Sequence, residues 1–451
     1  MGIDLMGVGL SGINAAEMEL QATEANITNA NNPNYSAESV QLSATAGPNG
    51  AGSGVAVIGT ERAQAPFLTD ALNQAQSSES YNSSYAQVTQ LAQTYLAPSS
   101  GSDLLSSLQS LVNSFTNLSA SPSDPPTRQA VLSAAGNFAT MSQELSQQLN
   151  QAAVNELGTL PAMVQQVNSD SQQIAQLNVQ IQGTSAGGGN AGALLDQRDA
   201  LVSDLANLIG ATSDGNGNVS VAGVPLVSGS LPLTLSTTGS GSSLGVQVAM
   251  SNGNLALPAD QLGGKIGGSL SGANSVSQSS TALNGFVVSV ATAFNTQHQS
   301  GYGLDGSTDN QLFLIGAGGN GISLNPAITE ENLAASATAA GVPGDGSNAA
   351  AMAGLANATG LDASFPSSTL AQAYAQIASN FGSQIQAATA AQTTAASSVQ
   401  SLTQLKSSIT GVSLNDELTH LIQYQNSLQA AGRAVQVAND TTTFLITQLT
   451  T

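Results

Sequence analysis

The chain has 451 residues, enough for about three domains and a sizeable core. Only 7% of it is charged, six Lys+Arg against 27 Asp+Glu, so the net charge of -21 reflects missing basic residues rather than acidic blocks. The absence of cysteine excludes disulfides, thiolate zinc sites and cysteine nucleophiles, and six scattered cations cannot neutralise a nucleic-acid backbone.

The first residues, MGIDLMGVGLSGI, lack a basic region, and Asp4 interrupts the apolar run. They do not read as a cleavable signal peptide. The longest apolar candidate, Gly285 to Phe294, is half the length that a membrane span needs, so no membrane insertion is expected.

Met6, Ile13, Leu20 and Ile27 fall seven residues apart and predict an amphipathic helix. Ile3 and Leu10 fill a second seam position that Glu17 and Glu24 occupy later. The helix is expected to end near Asn31-Asn32-Pro33, because the residue before proline avoids the helical region. Residues 67–118 and 128–183 also read helical, with Leu160, Val167, Ile174 and Ile181 repeating by sevens. Pro122, Pro125 and Pro126 separate the two runs. The Gly-rich stretch 183–190 precedes another helix carrying Leu194, Leu195, Arg198, Leu201 and Leu205.

After Gly210 the pattern changes to short alternating runs between Asp-Gly, Asn-Gly and Gly-Gly pairs, which predicts a β-rich unit over 211–268. A helix is expected at 271–299, an irregular Gly/Asn/Ala-rich stretch at 300–365, and a last internal helix at 367–408. Leu414, Leu421, Leu428, Val435, Thr442 and Leu449 then repeat by sevens and mirror the first helix. Either the two terminal helices pack on each other as an antiparallel pair, or they are assembly helices completed by neighbouring subunits.

The fold class that results is mainly α with a β-rich insertion. Coiled-coil-like terminal helices pair at one end, a central helical bundle follows, and a small β unit lies outermost. The expected divisions are 1–45 with 409–451, 46–210 with 269–408, and 211–268.

No catalytic constellation emerges. His298 and His420 lack partners at ligand spacing and read as surface residues. Two G-x-S-x-G matches, at Gly183–Gly187 and Gly241–Gly245, do not sit between a buried strand and a helix. Asp305 to Asn310 reads as a solvated turn, and Asp196 and Asp199 flank Arg198 as a local pairing on one helix. No enzyme activity, cofactor or metal is expected.

Several segments carry a resemblance. Leu10-Ser11-Gly12-Ile13-Asn14-Ala15-Ala16 and Asn26-Ile27-Thr28-Asn29-Ala30-Asn31-Asn32-Pro33-Asn34-Tyr35-Ser36 resemble the N-terminal signature of bacterial flagellar axial proteins. Arg62 with Pro66-Phe67-Leu68, Pro122-Ser123-Asp124-Pro125, Arg128 to Ala135, Leu194 to Asp199, and Val412 to Arg433 are similar to segments of the hook-associated protein 1 family within them. Asn34 stands where that family has glycine, Ala37-Glu38 where it often has Arg-Gln, and Gly432 where it has alanine.

The resemblance implies a structural subunit that forms a ring between flagellar hook and filament and is needed for filament assembly. Another axial protein (hook-associated protein 3, flagellin or hook subunit), or an exported adhesin or enzyme with flagellar-type termini, is the alternative. Implied partners are copies of the chain itself, hook protein, hook-associated protein 3 and through it the filament, and an export chaperone at the C-terminal helix. The implied location is extracellular, after export in unfolded form. The expected assembly interface comprises Ile3, Leu10, Ile13, Leu20, Ile27, Asn29, Asn31, Pro33, Tyr35, Leu414, Leu421, Tyr424, Leu428, Arg433, Val435, Leu445 and Leu449. Arg128, Asp196, Arg198 and Asp199 are expected to hold structural motifs.

Overall fold

The structure is a computed structural model, and it describes residues 5–46, 52–96, 103–250 and 253–449. Helix α1 (Leu5–Asn29) leads into an antiparallel hairpin, β1 (Glu38–Ala46) and β2 (Gly52–Arg62), with Glu38 paired to Arg62. Helices α2 (Pro66–Leu96), α3 (Leu104–Ala120), α4 (Pro125–Leu157), α5 (Leu160–Ala186) and α6 (Gly192–Ile209) follow. Strands β3 (Thr212–Ser213), β4 (Val219–Val221), β5 (Val224–Ser228) and β6 (Leu231–Pro232) form one antiparallel sheet. Strands β7 (Leu235–Thr238), β8 (Gly245–Met250) and β9 (Gly253–Leu257) form another. The chain continues through α7 (Gly264–Gln299), β10 (Phe313–Ile315), β11 (Ile322–Leu324), α8 (Ser347–Gly354) and α9 (Leu370–Thr410), and closes with α10 (Leu414–Leu449).

Local chemistry accounts for most boundaries. Asp124 caps α4 by accepting from the Thr127 N–H at 3.1 Å, and Pro125 sits in the first turn, where no N–H is needed. Thr369 and Gln372 make a capping box on α9. Gly210 ends α6 in the left-handed region with φ +73°. Gly158 and Thr159 divide the expected run 128–183 into α4 and α5.

Helix α7 starts seven residues before the expected 271. Residues 264–268, assigned above to the β-rich unit, are helical, and the glycines near this end are contact positions. A methyl group at Gly272 would press on the Val88 side chain, and one at Gly268 on the Tyr81 carbonyl. Glycine here lets α7 lie close against α2. The hairpin at 38–62, within stretches assigned above to helical units, is a further departure from expectation. Alternating residues such as Val40 and Leu42 carried its signal.

A phenylalanine ladder forms the middle of the core. Phe115 and Phe294 have ring centroids 5.6 Å apart, Phe294 and Phe313 6.5 Å, and Phe313 and Phe138 6.1 Å. The ladder joins α3, α7, β10 and α4. The buried faces of the two small sheets (Val219, Val221, Leu226, Val227, Leu235, Val246, Val248) are continuous with this core, resting largely on α5.

Residues 300–365 hold little regular structure, as their composition implies, but they are packed. Leu312, Phe313, Ile322, Leu333 and Met352 are buried. Side chains of the helices bind their backbone. Asn295 donates to the Phe313 carbonyl and accepts from its N–H, both at 2.8 Å. Asn348 donates to the Ala334 carbonyl at 2.8 Å.

Two residues sit deeper than their type suggests. Arg128 is 1% exposed, and its guanidinium donates to the Pro122, Glu330 and Leu333 carbonyls at 2.6, 2.7 and 2.8 Å. His298, expected on the surface, is wholly buried, because it too serves a backbone segment rather than solvent or a metal.

Replacing Arg128 with Met would leave three carbonyls unpaired, and unfolding by urea should show a loss of about 3 kcal/mol. Arg128→Lys should recover little of it, since one ammonium cannot span three divergent acceptors. An unchanged midpoint in either variant would refute the structural role.

Candidate assembly site at the terminal helices

Helices α1 and α10 run antiparallel. Gly9 lies against Val435 and Ala431, Gly12 against Ala431, and Asn26 against Glu417. The facing surfaces are built from small residues. Gly9, Ala15, Ala16, Ala22, Thr23 and Asn26 are the buried residues of α1, and a methyl group at Gly9 would sit 3.2 Å from the Val435 backbone nitrogen. Ser11 joins the hairpin to this pair. Its hydroxyl donates to the Val8 carbonyl at 2.8 Å and accepts from the Val55 N–H at 3.2 Å. The preceding residue, Gly54, has φ +115°, and a side chain there would collide with Ser11.

At the lower end of the pair is a polar node. Asn26 donates to the Glu417 carboxylate at 3.0 Å and to the Glu38 carbonyl at 2.9 Å. It accepts from the Tyr35 hydroxyl at 2.8 Å and from the Glu38 N–H at 2.9 Å. All four hydrogen-bonding positions of one amide are thus used. Burial first, then Glu38, Asp196 and Glu417, push the Tyr35 hydroxyl up to about 12, so it stays a donor. The Ala37 N–H donates to the Thr410 carbonyl at 2.8 Å, tying this loop to the end of α9.

The node continues into α6. Asp196 accepts from the Ser36 N–H at 3.3 Å, and its carboxylate pairs with Arg62 at 3.2 Å. Asp199, one turn on, also pairs with Arg62. Burial raises the Asp196 carboxyl above its ordinary value, with Arg62 opposing the shift. The expected local pairing with Arg198 does not form. Arg198 points to the β unit, donating to the Gly215 carbonyl at 3.0 Å and the Asn178 amide oxygen at 3.4 Å. A guanidinium arriving from β2 meets both carboxylates, whereas Arg198 on the same helix faces away from them.

The expected interface residues divide into four groups. Ile13, Leu20, Ile27, Leu421, Tyr424, Leu428 and Val435 are half-buried, at or beside the contact between α1 and α10. Leu10, Leu414, Arg433 and Leu445 are exposed, as are Asn31 and Pro33 in the connecting loop. Asn29 is half-buried and bonds its own helix at Ala25, and Tyr35 belongs to the node. Ile3 lies outside the described residues, as does the side chain of Leu449. Sequence reasoning missed Ser11, Asn26, Glu38, Arg62 and Glu417 as contacts. The spacing of Gly9, Gly12, Ala15 and Ala16 was the available signal for a close helix pair.

The outer face of α10 keeps Leu418, Ile422, Val437 and Phe444 exposed, Phe444 at 62%. Isolated apolar residues are normal on a surface, but this set recurs along one helix beside exposed Leu10 and Leu414. Asn34, at the family's glycine position, has negative φ, so the turn makes no demand for glycine. Among the described residues, no group of acidic and histidine side chains could hold a metal.

The family described as flagellar hook-associated protein FlgK helical domain matches residues 88–313, half of the chain. The chain belongs to the FlgK family. Flagellar hook-associated protein 1 of Salmonella typhimurium is 31% identical over 335 residues, covering 69% of this chain and 60% of the relative. Its Escherichia coli counterpart is 30% identical over 334 residues with the same coverage. The chain therefore spans about three fifths of the length of these relatives. The solved flagellar hook junction protein FlgK from Burkholderia pseudomallei is 30% identical, with a TM-score of 0.49 over 55% of this chain and 46% of that one.

The node predicts a position-specific effect in this FlgK-family chain. Asn26→Ala should loosen the terminal pair by about 3 kcal/mol, because a carboxylate and a peptide group lose partners. Asn26→Asp should be no better, since it places a like charge beside Glu417. Limited proteolysis should show earlier cleavage within 5–62 and 414–449 while the body stays intact; cleavage at the wild-type rate would refute the node. Gly432→Ala should act oppositely. The position is open to solvent in mid-helix, and the change should stabilise α10 by about 1 kcal/mol, read as added helicity.

Proposed function

We propose that this chain is the structural subunit of a ring between flagellar hook and filament, required for filament assembly. The observation that carries the reading is a FlgK-family chain whose paired terminal helices leave an apolar face uncovered on α10. Leu418, Ile422, Val437 and Phe444 would meet neighbouring subunits, and the half-buried Leu421, Leu428 and Val435 would hold the pair itself. The partners are copies of the chain, hook protein, hook-associated protein 3 and through it the filament. An export chaperone would cover the same α10 face before assembly.

In this reading the terminal unit, 1–45 with 409–451, forms the inner tube. Residues 46–210 with 269–408 form the surrounding body, and 211–268 face outward. The role is mechanical rather than catalytic. The chain acts outside the cell, after export in unfolded form. Almost charge-free helix surfaces suit this role, since lateral packing then removes few ions from water.

Deletion of the gene should leave bare hooks and release flagellin into the medium; normal filaments would sink the proposal. Ile422→Asp with Phe444→Asp should give a protein with a wild-type core melt that fails to restore filaments or to bind its chaperone. Full restoration of motility by that double variant would place the interface elsewhere.

A further inference from the structure

We propose that His298 is an acid-sensitive clasp on the irregular segment between α7 and α8. The ring sits in the last turn of α7 with no exposed surface. Its Nδ1 lies 2.7 Å from the Asn310 carbonyl oxygen, so Nδ1 carries the proton and donates. Its Nε2 accepts from the buried Ala334 N–H at 3.0 Å. One neutral imidazole therefore holds two distant points of the same segment. A second proton would convert Nε2 from acceptor to donor and set it against another donor.

The surroundings offer that proton no compensation. The charged group acting on the ring is Arg128 of α4, itself bonded to the segment at Glu330 and Leu333. Neighbours on α7 and α8, namely Asn295, Gln297, Gln299 and Asn348, are neutral amides. Asp305, Asp309 and Glu331 are exposed, with Asp305 bonded to Ser307 and Asp309 to Gln299; Glu330 is half-buried, and Asp345 is bonded to Ser336, Ala337 and Ser347. Among the described residues, no carboxylate bonds the ring. Burial pushes His298 below its ordinary value, and the Arg128 charge adds to this, while the Asn310 carbonyl opposes it.

The direction of the pH dependence follows. The released segment exposes a histidine of ordinary basicity, which binds more protons than the closed form. The clasp is therefore at full strength above about pH 6.5 and weakens below it. Each unit of pH lost raises the open population by up to about tenfold, until the closed form also titrates. Arg128 at Glu330 and Leu333, Asn348 at Ala334 and Asn295 at Phe313 also hold the stretch that the ring spans. Its opening breaks these bonds too, and only the His298 contribution varies between about pH 7.5 and about pH 5.

Hydrogen exchange of the full chain at about pH 7.5 and about pH 5, corrected for intrinsic rates, tests this. Peptides covering 310–336 should gain at least about tenfold in opening at the lower pH, relative to peptides of α4. In His298→Gln the side-chain amide can donate to Asn310 and accept from Ala334 at either pH, so this excess should vanish. Equal acid responses in the two proteins, or none in the wild type, would overturn the clasp. Proton NMR of His420→Asn, which keeps one histidine, supplies a measurement independent of the Gln variant's folding. The imidazole should titrate together with the opening; titration near pH 6.5 in a segment that stays protected would overturn it.

Discussion

Two helices that approach this closely must do so without large side chains, and the terminal unit follows from that constraint. Glycine and alanine on α1 bring the backbones together but bury little apolar area, so the contact gains little from hydrophobic transfer. A smooth contact also slides easily. Asn26 supplies what the small residues lack: three of its bonds, to Glu38 and Tyr35, fix the amide on the α1 side, and the fourth reaches Glu417 on α10 in one axial position only. A single buried amide fixing register is a known device of paired helices. The hairpin base and α6 hang from the same node through Glu38, Ser36 and Arg62. The orientation of the terminal pair is therefore set by polar geometry, while its outer apolar face stays free for other contacts.

The same economy of charge runs through the body. Asn168 exchanges two hydrogen bonds with Leu235, Asn178 donates to Gly217 and Gly229, and Asn295 brackets Phe313. Each amide supplies a missing partner to a strand end, at Leu235 and Phe313, or to a turn, at Gly217 and Gly229. A neutral amide can do this in the interior without the desolvation cost of an ion. Where a cation is used, its partners are carbonyl oxygens at Arg128 and Arg198 and the carboxylates of Asp196 and Asp199 at Arg62. Among the described residues, Asp196 is one of the buried carboxylates, with Asp170, Asp362 and Glu417, and it is the one paired with a cation.

Periodicity made the helices legible, as in the heptads of both ends and the change of pattern after Gly210, whereas Pro125 and Pro126, read as a break, lie in the first turn of α4 behind the Asp124 cap. The β-rich stretch was visible in its turn pairs. What escaped were features that depend on a distant partner. The glycines at the start of α7 read as the end of the β-rich stretch until α2 lies beside them. Asp196 and Asp199 look paired with Arg198 until β2 brings Arg62 to them. His298 reads as a surface residue because a histidine serving only backbone leaves no spacing pattern. The heptads pointed correctly to paired ends, but the seam they marked proved to be half-buried, with smaller residues making the closest contact.

One consequence of the node concerns the order of events. Asn26 and Glu417 are 391 residues apart in sequence, so their bond closes a loop of almost the whole chain. The entropy of closing a loop grows only slowly with its length, and a folded body between the ends shortens the effective span further. A chain emerging from either end therefore holds one half of the node without its partner until 391 further residues have appeared. The terminal pair closes only after the body between Asn26 and Glu417 has emerged.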